Sequence, residues 1–247
     1  MSVREKFFIY DKWLADIIKC DAYQIIASDE FIRKAGEPDT PVARQLDEMQ
    51  NSKVFIYARV AADNLTVVRF LEEKGFNLID TTAIFSKLVE PEIRVQVDGN
   101  VGFAVADDEE RLVSLSRRSF EYSRFHLDSA FTPDVADETR ARWVQSYFSG
   151  DRGNAIVVAR EENVLVGFLL LIYRENNTLV IDLIAVDRDF RRRGIAGDMI
   201  RFAEANCPGY SNIRVGTQIA NLPSIHFYES LGFRIVESQY VFHYHHD

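Results

Sequence analysis

The run Arg191-Arg192-Arg193-Gly194-Ile195-Ala196 constrains this chain more than any other stretch. It joins a strand-like apolar run, Leu179 to Val186, to an amphipathic helix pattern carried by Ile195, Met199, Phe202 and Ala203. A strand, a tight turn and a helix start gather several backbone N–H groups about one point. Glycine admits close approach of the backbone, and the helix N-terminus adds about half a positive charge. That combination is an anion cradle, suited to a phosphate or pyrophosphate. Arginines on a loop alone read as a solvated face.

A second stretch adds to the first. In Asn221-Leu222-Pro223-Ser224-Ile225-His226-Phe227-Tyr228-Glu229-Ser230-Leu231-Gly232-Phe233, Asn221 suits a helix cap and Pro223 the first turn. Gly232 suits the left-handed stop. The order V-x(4)-R-x-x-G-x-A, a strand, then N-x(6)-Y-x(3)-G-F resembles the GNAT superfamily of acetyl-CoA-dependent N-acetyltransferases. The resemblance covers roughly residues 101–247. It implies an α/β fold, a GNAT-like mixed sheet flanked by helices.

Composition sets the outer bounds. The 247 residues suffice for one large domain or two small ones. A hydrophobic share of 47%, with 18 Phe and 10 Tyr, supplies a substantial core. The net charge of −9 argues against nucleic acid as a partner. The arginines at 188–193 are therefore local, as one small anionic ligand requires. Cys20 and Cys207 have neither disulfide nor metal-ligand spacing. No signal-peptide pattern precedes Asp11, and the apolar run Val164 to Tyr173 is too short to span a membrane. The expectation is a soluble, cytoplasmic protein without membrane or nucleic-acid partners; a homodimer is one option for its assembly.

The chain also repeats itself. Ile56 to Leu65 followed by Phe70-Leu71-Glu72-Glu73-Lys74-Gly75-Phe76 aligns without gaps with Ile213 to Leu222 followed by Phe227 to Phe233. Strand patterns follow both, Asn77 to Leu88 and Arg234 to Tyr244. The first portion, 1–90, reads as a truncated GNAT-like copy placed before a catalytic portion, 101–247, with a boundary at Pro91 to Asn100. Leu71 stands where Tyr228 stands in the second copy, and no Arg-Gly loop precedes it. The first portion is left a packing role and at most one wall of the substrate cleft. Arg59 and Leu71 are expected to tolerate conservative change.

Elements of the second portion can be read in order. Val101 to Ala106 is a short strand. Asp107 with Glu110 opens a helix through Leu112, Leu115 and Phe120. Tyr122 to Phe131 is an aromatic, polar loop, and Thr132-Pro133-Asp134 opens a helix carrying Trp143, Val144, Tyr147 and Phe148. Ala155 to Arg160 and Val164 to Tyr173 form a hairpin, followed by the strand Thr178 to Val186.

The resemblance assigns roles. Backbone N–H groups of Arg192, Arg193, Gly194, Ile195, Ala196 and Gly197 would hold the pyrophosphate of acetyl-CoA. The strand Ile184, Ala185, Val186 would pair with pantetheine and, where splayed from its neighbour, offer an oxyanion donor worth roughly 2.7–4 kcal/mol. Arg191 stands where the family often has Gln or Arg; the arginine side chains either meet the 3′-phosphate or stay solvated. Asn221 matches the pantetheine contact, and it serves equally as a plain cap. Tyr228 matches the proton donor to the sulfur, with core packing as the alternative. A phenol of ordinary pKa near 10 keeps its proton at pH 7. Asp182 lies where many GNAT proteins carry a base working through water; otherwise it is a solvent-facing strand residue.

For the acceptor end, the loop Tyr122 to Asp134 and the strand Val215-Gly216-Thr217-Gln218 are similar to the dTDP-fucosamine acetyltransferase family, which also has a truncated GNAT-like N-terminal portion. That similarity implies a primary amine on a nucleotide-linked sugar. Arg124 would hold a phosphate, Phe125 or Phe131 would stack on a base or sugar, and His126 and Thr217 would line the same site. A salt-bridged surface Arg beside core aromatics is the other reading. The tail from Phe242 to Asp247 carries three of the five His and reads as a final strand; no metal is expected. Rival functions are acetylation of a peptide, antibiotic or polyamine amine, and a non-catalytic acyl-CoA sensor.

Overall fold

The computed structural model describes residues 7–35, 37, 39–89 and 100–246. The first portion runs β1 (Phe8–Tyr10), α1 (Lys12–Ile18), β2 (Asp21–Ile25), α2 (Asp29–Ala35), α3 (Pro41–Met49), β3 (Val54–Ala61), α4 (Leu65–Glu73) and β4 (Asn77–Leu88). The second runs β5 (Val101–Phe103), α5 (Glu109–Arg117), α6 (Arg124–Leu127), α7 (Pro133–Phe148), β6 (Ala155–Glu161), β7 (Val164–Arg174), β8 (Thr178–Val186), α8 (Ile195–Asn206), β9 (Asn212–Gln218), α9 (Leu222–Ser230) and β10 (Arg234–His246). Apart from Asn100, the expected boundary over 91–100 lies outside the described residues, as does Asp247.

Three local expectations shift. The strand expected to reach Ala106 stops at Phe103, because a 3-10 turn over Ala106–Asp108 takes over. Asp108, not Asp107, folds back to accept from Val105 N at 2.9 Å, and it also holds Arg160. The loop from Tyr122 to Phe131 contains a helical turn, α6, whose first residue follows the Ser123 cap.

The strands form one sheet in the order β1-β2-β3-β10-β4-β9-β8-β7-β6-β5. The repeat governs this order. Asn64 and Asn221 cap α4 and α9 with nearly the same backbone angles, and each side chain accepts an N–H three residues on at 3.3 Å. Gly75 and Gly232 close the two helices at φ +80° and +85°, a conformation that glycine adopts without a Cβ penalty. Each copy then sends its last strand into the other copy. β10 lies antiparallel between β3 and β4, while β4 lies antiparallel between β10 and β9. The register obeys a pseudo-two-fold: Arg234 faces Ser86 as His243 faces Asn77, and Tyr240 faces Val60 as Ala83 faces Thr217.

Helices cover both faces. One core packs Met199, Ile200 and Tyr228 of α8 and α9 against Phe85, Leu169, Ile181 and Val215 of the sheet. A second packs α2, α3 and α4 onto β3 and β10 through Phe31, Leu46, Leu71 and Phe242. A third packs α5 and α7 onto β7 through Leu115, Val144 and Phe168. A smaller cluster of Leu14, Phe55, Tyr57, Phe125 and Ala136 ties the first portion to α6 and α7.

Beside that cluster the C-terminal histidines are pinned. Asp128 Oδ2 lies 2.6 Å from His243 Nδ1 and 2.7 Å from His245 Nε2. An Arg124 nitrogen lies 3.2 Å from His243 Nε2. A guanidinium only donates, so that Nε2 accepts and Nδ1–H donates to Asp128. The three groups are close enough to hold a metal ion, but the hydrogen bonds already satisfy them.

Burial, opposed by Asp128, lowers the His243 pKa from 6.5 to about 4. Asp128 is also lowered: burial works the other way, but the two histidine hydrogen bonds outweigh it. A depressed histidine pKa means that the unfolded chain binds the proton first, so stability is lost as pH falls from about 6.5 to 4. Asp128 extends the loss below that window. The expected decrement for His243 is on the order of 3 kcal/mol. Urea midpoints at pH 7 and pH 4.5 measure it. His243→Gln should flatten the dependence, and an unchanged slope would contradict this assignment.

Candidate active site

β8 and β9 run parallel, but their pairing ends at Ile181 opposite Val215. Beyond it Asp182–Val186 and Gly216–Gln218 diverge and leave a wedge between two strand ends. Residues 182–184 and 216–218 line a cleft of about 850 Å³ that opens there, within the range of small-molecule sites. Asn221, Ser224 and Tyr228 of α9 form one side. The first portion supplies Arg59, Thr82 and Ile84 of β3 and β4, so it does build a wall of the cleft. Arg59, expected to be tolerant, faces this cleft.

At its far end β8 enters the arginine loop. Arg192 has φ +63° and Gly194 has φ +85° at the cap of α8. The first helical bond is Asp198 N to Gly194 O at 3.0 Å, so the N–H groups of the preceding first turn have no intrahelical acceptor. A Cβ on Gly194 would meet nothing closer than Asp198 Oδ2 at 3.8 Å, so the space before the N–H groups is open. These features fit a pyrophosphate. The side chains of Arg191 and Arg193 instead brace the loop: Arg191 donates to Val186 O at 3.0 Å and Ser119 O at 3.2 Å, and Arg193 donates to Asp189 O at 3.0 Å. Arg192 is exposed, without an ion pair or hydrogen bond among the described residues. Gly194→Val should weaken acetyl-CoA binding at least tenfold, because a β-branched residue strains φ +85° and its methyls enter the open space. Calorimetry on the folded variant checks this, and an unchanged constant would remove the loop from the site.

Tyr228 is 3% exposed and packs against Phe85, Phe227 and Phe233. The ring belongs to the core, and the residue also lines the cleft. Its hydroxyl has no hydrogen-bond partner among the described residues. Burial pushes its pKa up, which keeps the proton on the oxygen at neutral pH.

The acetyltransferase (GNAT) family model matches residues 110–233, half of the chain. The chain belongs to the GNAT acetyltransferase family. It is an acyl-CoA-dependent N-acetyltransferase, and the family uses acetyl-CoA. Among curated relatives it is 25% identical over 216 residues to the spore coat polysaccharide biosynthesis protein SpsD of Bacillus subtilis (strain 168), covering 81% of this chain and 68% of that one. It is 34% identical over 116 residues to N-acetylaspartate synthetase of Danio rerio, covering 45% of this chain and 38% of that one. The chain thus spans well under half the length of the second relative. Among solved structures, a GCN5-related N-acetyltransferase from Sphaerobacter thermophilus superposes with TM-score 0.61 at 12% identity, covering 96% of this chain and 75% of that chain. A tandem GNAT protein from the clavulanic acid biosynthesis pathway superposes with TM-score 0.56 at 14% identity, covering 91% and 75%. These two likenesses concern the fold. No helix among the described residues is long and apolar enough to cross a membrane.

Within this GNAT site several expected residues take other duties. Asp182 is not a free base facing water. Arg152 grips it through both oxygens at 2.7 Å, and Trp143 Nε1 and Tyr147 OH donate to Oδ2 at 2.7 and 2.8 Å. Burial would raise its pKa, but Arg152 and the two aromatic donors bring it below the usual value. An ionised carboxylate with its lone pairs engaged positions α7 against β8 and has little basicity to offer.

The four residues expected on the α6 loop are turned inward or braced. Phe125 is 2% exposed and offers no face to a sugar or base. Phe131 packs edge-on against Phe55, Phe125 and His245. His126 sits 2.5 Å from Ser123 Oγ and 3.2 Å from Asp137. Arg124 lies over Tyr57 at 3.9 Å and Phe125 at 4.5 Å, and bonds His243. Burial and the neighbouring Arg59 charge lower its pKa to about 10. It therefore buttresses the junction of the two portions, and it does not line the cleft. Thr217 lines the cleft as expected and is 5% exposed.

Arg140 and Arg152 of the cleft escaped sequence reading, although Arg140 carried a signal. It lies four residues from both Ala136 and Val144, so a 3.6-residue period puts it on the buried face of α7.

Proposed function

We propose that this enzyme acetylates the primary amine of a small-molecule acceptor held in the cleft between β8, β9, α7 and the first portion. The observation that carries the reading is the wedge after Ile181 and Val215, beside a tyrosine hydroxyl without a partner. The loop 192–197 holds the pyrophosphate through backbone N–H groups, and Asn221 meets the pantetheine arm. Edge N–H groups along Ile184, Ala185 and Val186 pair with that arm and face the thioester oxygen.

The amine lone pair attacks the thioester carbonyl, and the oxygen gains the charge. Collapse of the adduct breaks the C–S bond and leaves the amide. The departing thiolate takes the Tyr228 proton, and the amine's surplus proton leaves to solvent. Tyr228 then regains its proton from water. Water is the acceptor because Asp182 is committed to Arg152.

The favoured acceptor is an amino sugar on a nucleotide diphosphate carrier. A relative named for polysaccharide biosynthesis supports a sugar, and a cleft of about 850 Å³ leaves room for a carrier. A relative named for N-acetylaspartate supports a second reading, a small acidic amine. A cytoplasmic reaction suits the supply of acetyl-CoA. A panel of amino sugars, nucleotide amino sugars, amino acids, polyamines and aminoglycosides with acetyl-CoA, followed by free-thiol release, tests the reading. Thiol release no faster than thioester hydrolysis for every amine would leave the acyl-CoA sensor in its place.

A further inference from the structure

Arg140 is a feature of the cleft that the fold does not account for. It is 8% exposed, on the face of α7 that packs against the sheet. Its Nε is buried without any hydrogen-bond partner. No ion pair or hydrogen bond among the described residues ties its guanidinium, which stacks between Phe120 at 5.0 Å and Trp143 at 5.1 Å. Buried guanidinium groups are normally paired, because an uncompensated charge out of water is costly. The carboxylate whose charge acts on it, Asp182, is already taken by Arg152.

The surroundings also add positive charge. Arg59 lines the same cleft from β3 and also lacks an ion pair or hydrogen bond among the described residues. Burial presses the Arg140 pKa down to about 10; the Asp182 charge opposes it, and the smaller effects of Arg59 and Arg152 add to it. Three arginines, 59, 140 and 152, thus share the cleft with Asp182 and Glu121, and the Arg59 charge also acts on Asp80. On the side walls the balance differs, since Arg214 there pairs with Glu237 at 2.9 Å.

We infer that Arg140 and Arg59 form an oxyanion-binding subsite that grips a carboxylate or phosphate of the amine acceptor. The inference rests on the reading of the cleft as the acceptor site. A planar guanidinium held between two aromatic faces is pre-oriented for a two-point bond to such a group. Arg140 is contributed by the catalytic portion and Arg59 by the first. Acceptor recognition therefore requires both, and the first portion acts in specificity as well as packing. Arg140 is held charged at a cost to the free protein, and an anionic ligand relieves that cost.

Calorimetric titration with inorganic pyrophosphate and with L-aspartate, each on protein saturated with CoA so that the 192–197 loop is filled, reads the subsite in the wild type, Arg140→Met and Arg59→Gln. The wild type should bind at least one probe. Preference for pyrophosphate marks a phosphate-bearing carrier, and preference for aspartate marks a carboxylate. Arg140→Met should weaken binding tenfold or more, and Arg59→Gln, on the surface, should act in the same direction. Arg140→Met should also raise the Tm of the ligand-free protein by about 2–4 °C, because it removes an unpaired buried charge. A merely structural arginine would lower it. A wild type that binds neither probe, or a folded Arg140→Met that binds as tightly as the wild type, overturns the inference. Glucosamine acetylated as efficiently as glucosamine 1-phosphate and aspartate would overturn it too, yet leave the acceptor cleft standing. Arg140-dependent anion binding in a protein that acetylates no amine would instead keep the subsite and overturn the acceptor reading.

Discussion

A chain beginning at residue 91 is expected to yield no soluble, folded protein. The repeat makes residues 1–90 look like an accessory, but the sheet makes β4 an internal strand between β9 and β10. From Thr82 opposite Gln218 to Leu88 opposite Asn212 it supplies the partner of β9, and from Ser86 to Asn77 it supplies one partner of β10. Its loss would open the edges of both strands and expose the faces that Ala83 and Phe85 cover. Each large apolar side chain stripped of its cover forfeits about 1.5–3 kcal/mol, against a total stability of about 5–15 kcal/mol. A handful of such losses exceeds the total. Size-exclusion chromatography and circular dichroism of the expressed fragment decide the matter. A soluble monomer with wild-type turnover would show that β9 and β10 can pair with each other, and that the exchange is dispensable.

Tyr228→Phe should lower turnover by about 10²–10⁴-fold, the usual contribution of a positioned general acid, with acetyl-CoA affinity nearly unchanged. The fold should survive, since the contacts to Phe85, Phe227 and Phe233 belong to the ring and the hydroxyl has no partner to abandon. Spectroscopic Tm and steady-state kinetics on one preparation separate the two effects. Normal turnover in the folded variant would assign the thiolate's proton to water. Because burial raises the phenol's pKa, the acid limb of activity should not be set by Tyr228. Any loss at high pH from its ionisation should come well above pH 10.

The parts of this molecule legible in its sequence are those specified locally. The cap at Asn221, the stop at Gly232 and the turn before Ile195 each need a particular residue at a particular backbone angle, so the residue types announce them. The repeat was legible for the same reason, since it copies the cap and stop at Asn64 and Gly75. What the sequence hides is pairing at a distance. Nothing near Asp182 signals that Trp143, Tyr147 and Arg152 converge on it. The Ser123-Arg124-Phe125 segment suggests an exposed recognition loop, yet Tyr57 and Phe55 of a different portion cover it. The strand exchange lies wholly in such contacts: the same alternating strands satisfy the self-paired arrangement and the exchanged one, and periodicity does not choose between them.

The exchanged strands also set a timetable. Synthesis delivers β4 long before either of its partners, and β10, which sits near the middle of the sheet, is made after all the other strands described. Until β9 appears, β4 has nothing to pair with, and its apolar face, with Ala83 and Phe85, has no cover. Contacts between residues so far apart form slowly, because the loop that separates them must close first. The nascent chain therefore has no finished half to rest in. The first portion cannot complete its own sheet ahead of the second, and both reach their final form together, once β10 has left the ribosome and slid between β3 and β4.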